Sequence, residues 1–153
     1  MGSMRRIRRL AFGVLALIAV FAVPTEIAAA SPSDEMVGVI NEVRAKHGLY
    51  GLRASRSLQR SSNAFSHRLM ATNRFGHGSR VSASRGFRRL GEALALHGGG
   101  GFKIRRTVRR WLRSSGHRRI VLTRSMRYVG AGVTRGRFGR SRAIIWVLQT
   151  GSK

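Results

Sequence analysis

Residues 103–122 read KIRRTVRRWLRSSGHRRIVL, and together with the segment that follows they decide the fold class. Ile104, Val108, Trp111 and Leu112 share one stripe of a helix over about 103–114, while Arg105, Arg106, Arg109, Arg110 and Arg113 fill the remainder. Ser115-Gly116 interrupts that helix, and His117 to Leu122 can add one more turn. Beyond it the period changes. Tyr128-Val129-Gly130-Ala131-Gly132-Val133 and Ala143 to Gln149 are β-branched or aromatic runs separated by Gly136 to Ser141, and they predict a β-hairpin. Helices followed by strands, without βαβ alternation, place the chain in the α+β class.

Upstream, Val37, Ile40 and Val43, with Val39, recur at helical spacing over 36–47, and Gly48 is a natural stop. Asp34 and Glu35 stand where the helix dipole favours negative charge. A second helix spans about Ser57 to Arg74. Leu58, Phe65, Leu69 and Met70 face inward, with Ala64 and Ala71 small enough for close packing. Residues 76–88, rich in Gly, Ser and Arg, read as a loop. Glu92 to Leu96 reads as a short helical turn before the flexible Gly98 to Gly101. No internal repeat is visible.

The first thirty residues differ in character. Arg5, Arg6, Arg8 and Arg9 precede an uncharged run from Leu10 to Val23, then Pro24 and the small residues Ala28-Ala29-Ala30. This order is that of a secretory signal peptide over residues 1–30, with cleavage between Ala30 and Ser31 and a secreted, extracellular or periplasmic product. The apolar run extends about 21 Å as a helix against a hydrocarbon core of ~30 Å, which favours a cleaved signal over a retained anchor. Residues 31–153 are enough for one domain and too few for two. The chain has no cysteine, which excludes thiol chemistry, thiolate-bound metal and a disulfide scaffold.

Residues 31–153 carry 26 basic residues against 4 acidic ones, a net of +22. Such a field attracts anionic envelope polymers and membrane surfaces and opposes compaction. Arginine filling ordinary surface positions would look the same, so charge alone names no partner. No interleaving of aromatic and basic residues suited to base stacking is present, which argues against specific nucleic-acid binding. The stripe of helix 103–114 fits either an interfacial helix or a core-facing one, and the core-facing reading is favoured.

Glu92 is the one carboxylate after Glu42. It either pairs with an arginine in the core or orients something at a site. Of the five histidines, His47 and His97 read as structural or solvated and His67 as a packing or hydrogen-bonding residue. His77, in Gly76-His77-Gly78-Ser79, and His117, in Ser114-Ser115-Gly116-His117, stand at helix–loop junctions between small residues that leave a side chain accessible.

These residues fall into an ordered pattern. It runs Asn41-x-x-Arg44-x-x-x-Gly48-Leu49-x-x-Leu52, then Leu58, Ala64, His67 and Met70, then Phe75-Gly76-His77-Gly78-Ser79 and Gly91-Glu92. Trp111-Leu112-x-Ser114-x-Gly116-His117-Arg118-x-Ile120-x-Leu122, Gly130-x-Gly132-Val133 and Trp146-x-x-Gln149 complete it. The pattern resembles the CAP superfamily of cysteine-rich secretory proteins, antigen 5 and plant pathogenesis-related proteins, and within it the short, cysteine-free bacterial members. The resemblance covers about residues 36–150. It implies an α-β-α sandwich with a central antiparallel sheet and an open cleft holding two histidines and two acidic residues. His77 matches the first family histidine, Glu92 the glutamate and His117 the last histidine. Ser114 stands where many relatives carry the second glutamate, and Ala93 replaces the usual asparagine.

In relatives that bind metal the two histidines are the ligands, so the resemblance implies His77 and His117 as metal ligands and a ligand cleft of His77, Glu92, Ser114 and His117. The expected cofactor is Zn²⁺ or another divalent ion, bound weakly. Arg118 adjoins His117, and Arg74 and Arg80 flank His77, so the cations oppose a dication. No catalytic residue is assigned. The expected function is a monomeric binding protein with a small ligand or lipid in the cleft. The alternatives are a basic module on anionic polymers or lipid surfaces and a metal-assisted secreted hydrolase.

Overall fold

The computed structural model describes residues 29–79, 81 and 83–153. All of the predicted signal peptide except Ala29 and Ala30 lies outside them. Every residue from Ala143 to Leu148 is apolar and buried, because their strand has a helical layer on each face. Ile144, Trp146 and Leu148 point into one core with Met36, Ile40 and Trp111. Ala143, Ile145 and Val147 point into the other with Phe65, Leu69 and Met70. The fully buried Ile144, Ile145, Val147 and Leu148 each contribute roughly 1.5–3 kcal/mol of burial.

The elements are α1 (Pro32–Lys46), β1 (Arg53–Ala54), α2 (Arg56–Thr72), a single 3-10 turn (Ser84–Gly86), β2 (Arg89–Gly98), α3 (Ile104–Arg113), α4 (Ser115–Leu122), β3 (Tyr128–Phe138) and β4 (Ser141–Ser152). They form a four-stranded sheet in the order β1-β3-β4-β2. β2, β3 and β4 run antiparallel, but β1 pairs parallel to β3, so the sheet is mixed rather than antiparallel throughout. Among the described residues, no helix is long and apolar enough to cross a membrane.

Four local features depart from the sequence-based expectation. Glu92 to Leu96 is not a helical turn but the middle of β2, which pairs with β4 over ten positions. Ala and Leu are strong helix formers, yet the ladder and two apolar faces override local propensity. Ala64 and Ala71 are exposed, and the small residues that approach the sheet are Ser61, Ser62 and Ser66. His67 is exposed rather than packed beside the core. Helix α1 also begins earlier than its apolar period, because Ser31 and Asp34 form a capping box ahead of Pro32. At its other end Gly48 (φ +64°) follows the cap, and the Leu49 N–H reaches back to Arg44 O at 3.0 Å.

α2 lies on β3 backbone against backbone. A Cβ on Gly130 would overlap the Leu58–Gln59 peptide, and one on Gly132 the Ser62–Asn63 peptide. Because β1 ends at Ala54, the edge of β3 is left open beyond Val129, and side chains complete it. The Gln59 carboxamide donates to Ala131 O at 2.6 Å and accepts from Ala131 N at 3.1 Å, as a strand peptide would. Ser62 donates to Gly130 O at 3.1 Å, and Ser66 bonds Thr134 at 2.8 Å.

Opposite signs are expected for two Gly→Ala substitutions in urea unfolding. Gly132→Ala, forced against backbone, should cost about 3 kcal/mol. Gly38→Ala, in mid-helix with nothing within 4 Å of the added carbon, should gain about 0.5–1 kcal/mol. Equal effects would contradict the close approach of α2 to β3.

Candidate functional site

Glu92 and Gln149 face each other across the β2–β4 ladder, so their side chains share a face near the sheet's end. Gln149 Nε2 donates to Glu92 Oε2 at 2.8 Å. The other carboxylate oxygen lies 2.9 Å from His77 Nδ1, on the segment that follows α2. Of the two readings of Glu92, the structure therefore has it bonded to an imidazole and an amide. The side chain of Glu92 is 9% exposed and that of His77 56%. Against a carboxylate Nδ1 carries the proton, which leaves Nε2 with its lone pair. Gln149 Oε1 is buried without a partner among the described residues, so an acceptor remains open beside Glu92.

Ser114 and His117 sit where α3 gives way to α4. The chain kinks there because Ser114 is extended (φ −93°, ψ 123°), ending one helix and preceding the next. Both residues line a cleft of about 300 Å³ with Phe75, Leu94, Leu96 and Trp111. This cleft follows the outer edge of β2, where the Trp111 indole N–H donates to Leu94 O at 2.9 Å. His117 is half-buried. Burial holds its pKa below the ordinary histidine value, and the nearby charge of His77 lowers it further. The two imidazoles thus feel each other's field, but of the four expected cleft residues Ser114 and His117 line this cleft, and His77 and Glu92 do not.

Ser114 makes no capping bond with its side chain and is exposed. Phe75, next but one to His77, is 42% exposed and gives the cleft an apolar lip. Sequence reasoning assigned no role to Gln149, Phe75 or Arg110, which also lines the cleft. The signal for Gln149 was its place opposite Glu92, which only the strand register reveals. Each Glu92 oxygen accepts one hydrogen bond, from His77 and from Gln149. No group of three or more His, Asp or Glu side chains gathers at metal-binding distance among the described residues.

His97 shares the depressed pKa, through burial first and then the charges of Lys103, Arg110 and Arg106. A histidine whose folded pKa lies below its unfolded value binds fewer protons when folded, so stability falls as pH drops through about 6.5. Melting temperature should decrease from pH 7.5 to 5, above the carboxylate range. A His97→Gln/His117→Gln variant should flatten that slope, and an unchanged slope would contradict the assignment.

The cysteine-rich secretory protein family (CAP) matches residues 37–150 in sequence. An outer surface protein from Borrelia burgdorferi superimposes with a TM-score of 0.64 at 20% identity, covering 78% of this chain and 90% of that one. An extracellular protein containing an SCP domain from Bacillus anthracis gives 0.63 at 20% identity, covering 79% of this chain but 40% of that longer one. Venom allergen-like protein 4 of Schistosoma mansoni gives 0.57 at 13% identity, covering 81% and 92%. No curated protein sequence matches the chain. The match over residues 37–150, with the α-β-α arrangement behind it, establishes that the chain belongs to the CAP family of cysteine-rich secretory proteins.

Proposed function

We propose that this chain is an exported binding protein whose cleft takes a small or amphiphilic ligand and holds a divalent cation weakly through His77 and His117. The observation that carries it is the bonding of Glu92, with one oxygen on His77 Nδ1 and the other on Gln149 Nε2. A carboxylate on one ring nitrogen fixes the tautomer and raises the basicity of the other, the usual support behind a histidine ligand. Burial favours the neutral imidazole of His117, the form that binds metal.

Two imidazoles leave the remaining coordination to water, which suits low affinity. Arg110 lines the same cleft and Arg118 adjoins His117, so repulsion weakens binding by roughly one to two decades. The apolar lining of Phe75, Leu94, Leu96 and Trp111 suits a ligand with a hydrocarbon portion. Binding is preferred over hydrolysis because Glu92, the one carboxylate at the site, already orients His77 and Gln149, and Ser114 offers no second carboxylate to act as general base. Export rests on the order of charge, apolar run and small residues in 1–30. Two of the similar structures, an outer surface protein and an extracellular protein, agree with that placement.

Calorimetric titration with zinc tests the metal. The unaltered protein should bind weakly, and binding should be lost as pH falls and the half-buried His117 protonates. His77→Ala should abolish the heat, and Glu92→Gln should weaken affinity by about tenfold. Equal heats from the unaltered protein and His77→Ala would end the proposal.

A further inference from the structure

A second set of side chains converges away from His77 and Glu92. At the first turn of α3, His97, Gly98, Lys103, Arg106, Thr107 and Arg110 line a cavity of about 330 Å³. Lys103 is held over it by donating to Gly98 O at 3.2 Å. The Thr107 hydroxyl donates to Lys103 O at 3.0 Å and lies 2.8 Å from His97 Nε2, so its lone pair can accept that N–H. Lys103 is left-handed (φ 48°) and its side chain does not cap the helix, so the positive end of α3 adds to the field.

An adjoining cavity of about 510 Å³ is lined by Arg106, Arg109, Arg110 and Arg113. The two share Arg106 and Arg110, one helical turn or about 6 Å apart, and so form one track along α3. None of the lining residues is acidic. Of the carboxylates, Glu35 acts on Arg105 rather than on the track. Glu42 pairs with Arg105 at 2.8 and 3.2 Å, on another side of the helix, and Glu92 is bonded to His77 and Gln149.

We propose that this track is an oxyanion site, centred on His97, Lys103, Thr107, Arg106 and Arg110, and that with Arg109 and Arg113 it takes a polyphosphoryl chain. A single carboxylate would neutralise one of three permanent cations around the inner cavity, whereas consecutive phosphoryl groups can meet each in turn. Guanidinium forks bond phosphate oxygens in pairs. Among the described residues no Phe, Tyr or Trp side chain lines either cavity. Burial and the three cations hold His97 below its ordinary pKa, and an anion among them would raise it.

Tripolyphosphate is the probe, titrated calorimetrically into the purified protein at several salt concentrations. Arg106→Gln/Arg110→Gln should weaken binding about tenfold to a hundredfold and lessen the salt dependence. Arg119→Gln/Arg124→Gln, which removes the same charge from exposed positions off the track, should change it less than about twofold. In the unaltered protein, the NMR titration midpoint of His97 should rise when tripolyphosphate is added. Equal losses in the two double variants, or an unmoved His97, would overturn the site. Vesicles of phosphatidylglycerol in phosphatidylcholine provide the other arm. A larger loss on vesicles than on tripolyphosphate from the track variant would assign the face to membranes and overturn the polymer.

Discussion

Arg44 is fully buried, at 0% exposure, and its hydrogen bonds run to backbone carbonyls. It donates to Tyr50 O at 2.9 Å, Val121 O at 2.7 Å, Thr123 O at 3.2 Å and Met126 O at 3.5 Å. One guanidinium therefore ties the end of α1, the following loop, the end of α4 and the approach to β3. Burial lowers its pKa, and the charge of Arg127 adds to that, but arginine stays ionised at physiological pH. Its compensation is the helix end. Val121 is within the last turn of α4, where carbonyls lack intrahelical partners and carry partial negative charge.

The cleft depends on that corner. α4 is eight residues long, too short to hold its own direction in water. It is fixed at its end by Arg44 and at its start by packing against α3, so His117 inherits its position from both. α3 in turn is placed by Trp111 and Val108 in the core. His77 is set differently, by Glu92 on a strand whose register with β4 is fixed by apolar residues on both faces. Elsewhere carboxamides stand in for strands. Asn41 accepts from Leu52 N at 2.8 Å and donates to Leu52 O at 3.1 Å, as Gln59 does for Ala131. Small residues and polar side chains let the helices sit close to the sheet where a larger apolar core would separate them.

α1, α2, α3 and the final hairpin were legible from their apolar spacing, whereas the break expected at Ser115-Gly116 falls at Ser114, and Ser115 and Gly116 already belong to α4. β2 was not legible: Leu90-Gly91-Glu92-Ala93-Leu94-Ala95-Leu96 is rich in helix formers, and only pairing with β4 makes it a strand. The serines of α2 were hidden for a related reason. A buried serine is recognisable only once Gly130 and Gly132 bring the strand backbone within reach. At the site, His77, Glu92 and His117 could be singled out by flanking small residues, charge scarcity and family resemblance. Gln149 and Arg44 had no local signal beyond their place in the pattern, since their roles lie in contacts 57 and 77 residues away in sequence. His97 read as an isolated histidine because its cationic neighbours on α3 meet it only after β2 and α3 pack.

Arginine thus works in two opposite settings here, one desolvated among carbonyls and many on a surface where acids are scarce. The surface arginines raise the cost of compaction, which the buried contacts must offset. The most direct measurement is the unfolding free energy of Arg44→Met in urea. Methionine fills similar apolar space but leaves buried carbonyls of α4 and the adjoining loops without a donor, and the expected loss is about 3 kcal/mol or more. A loss below about 1 kcal/mol, within the range of an ordinary surface change, would contradict the dependence of the fold and its cleft on that guanidinium.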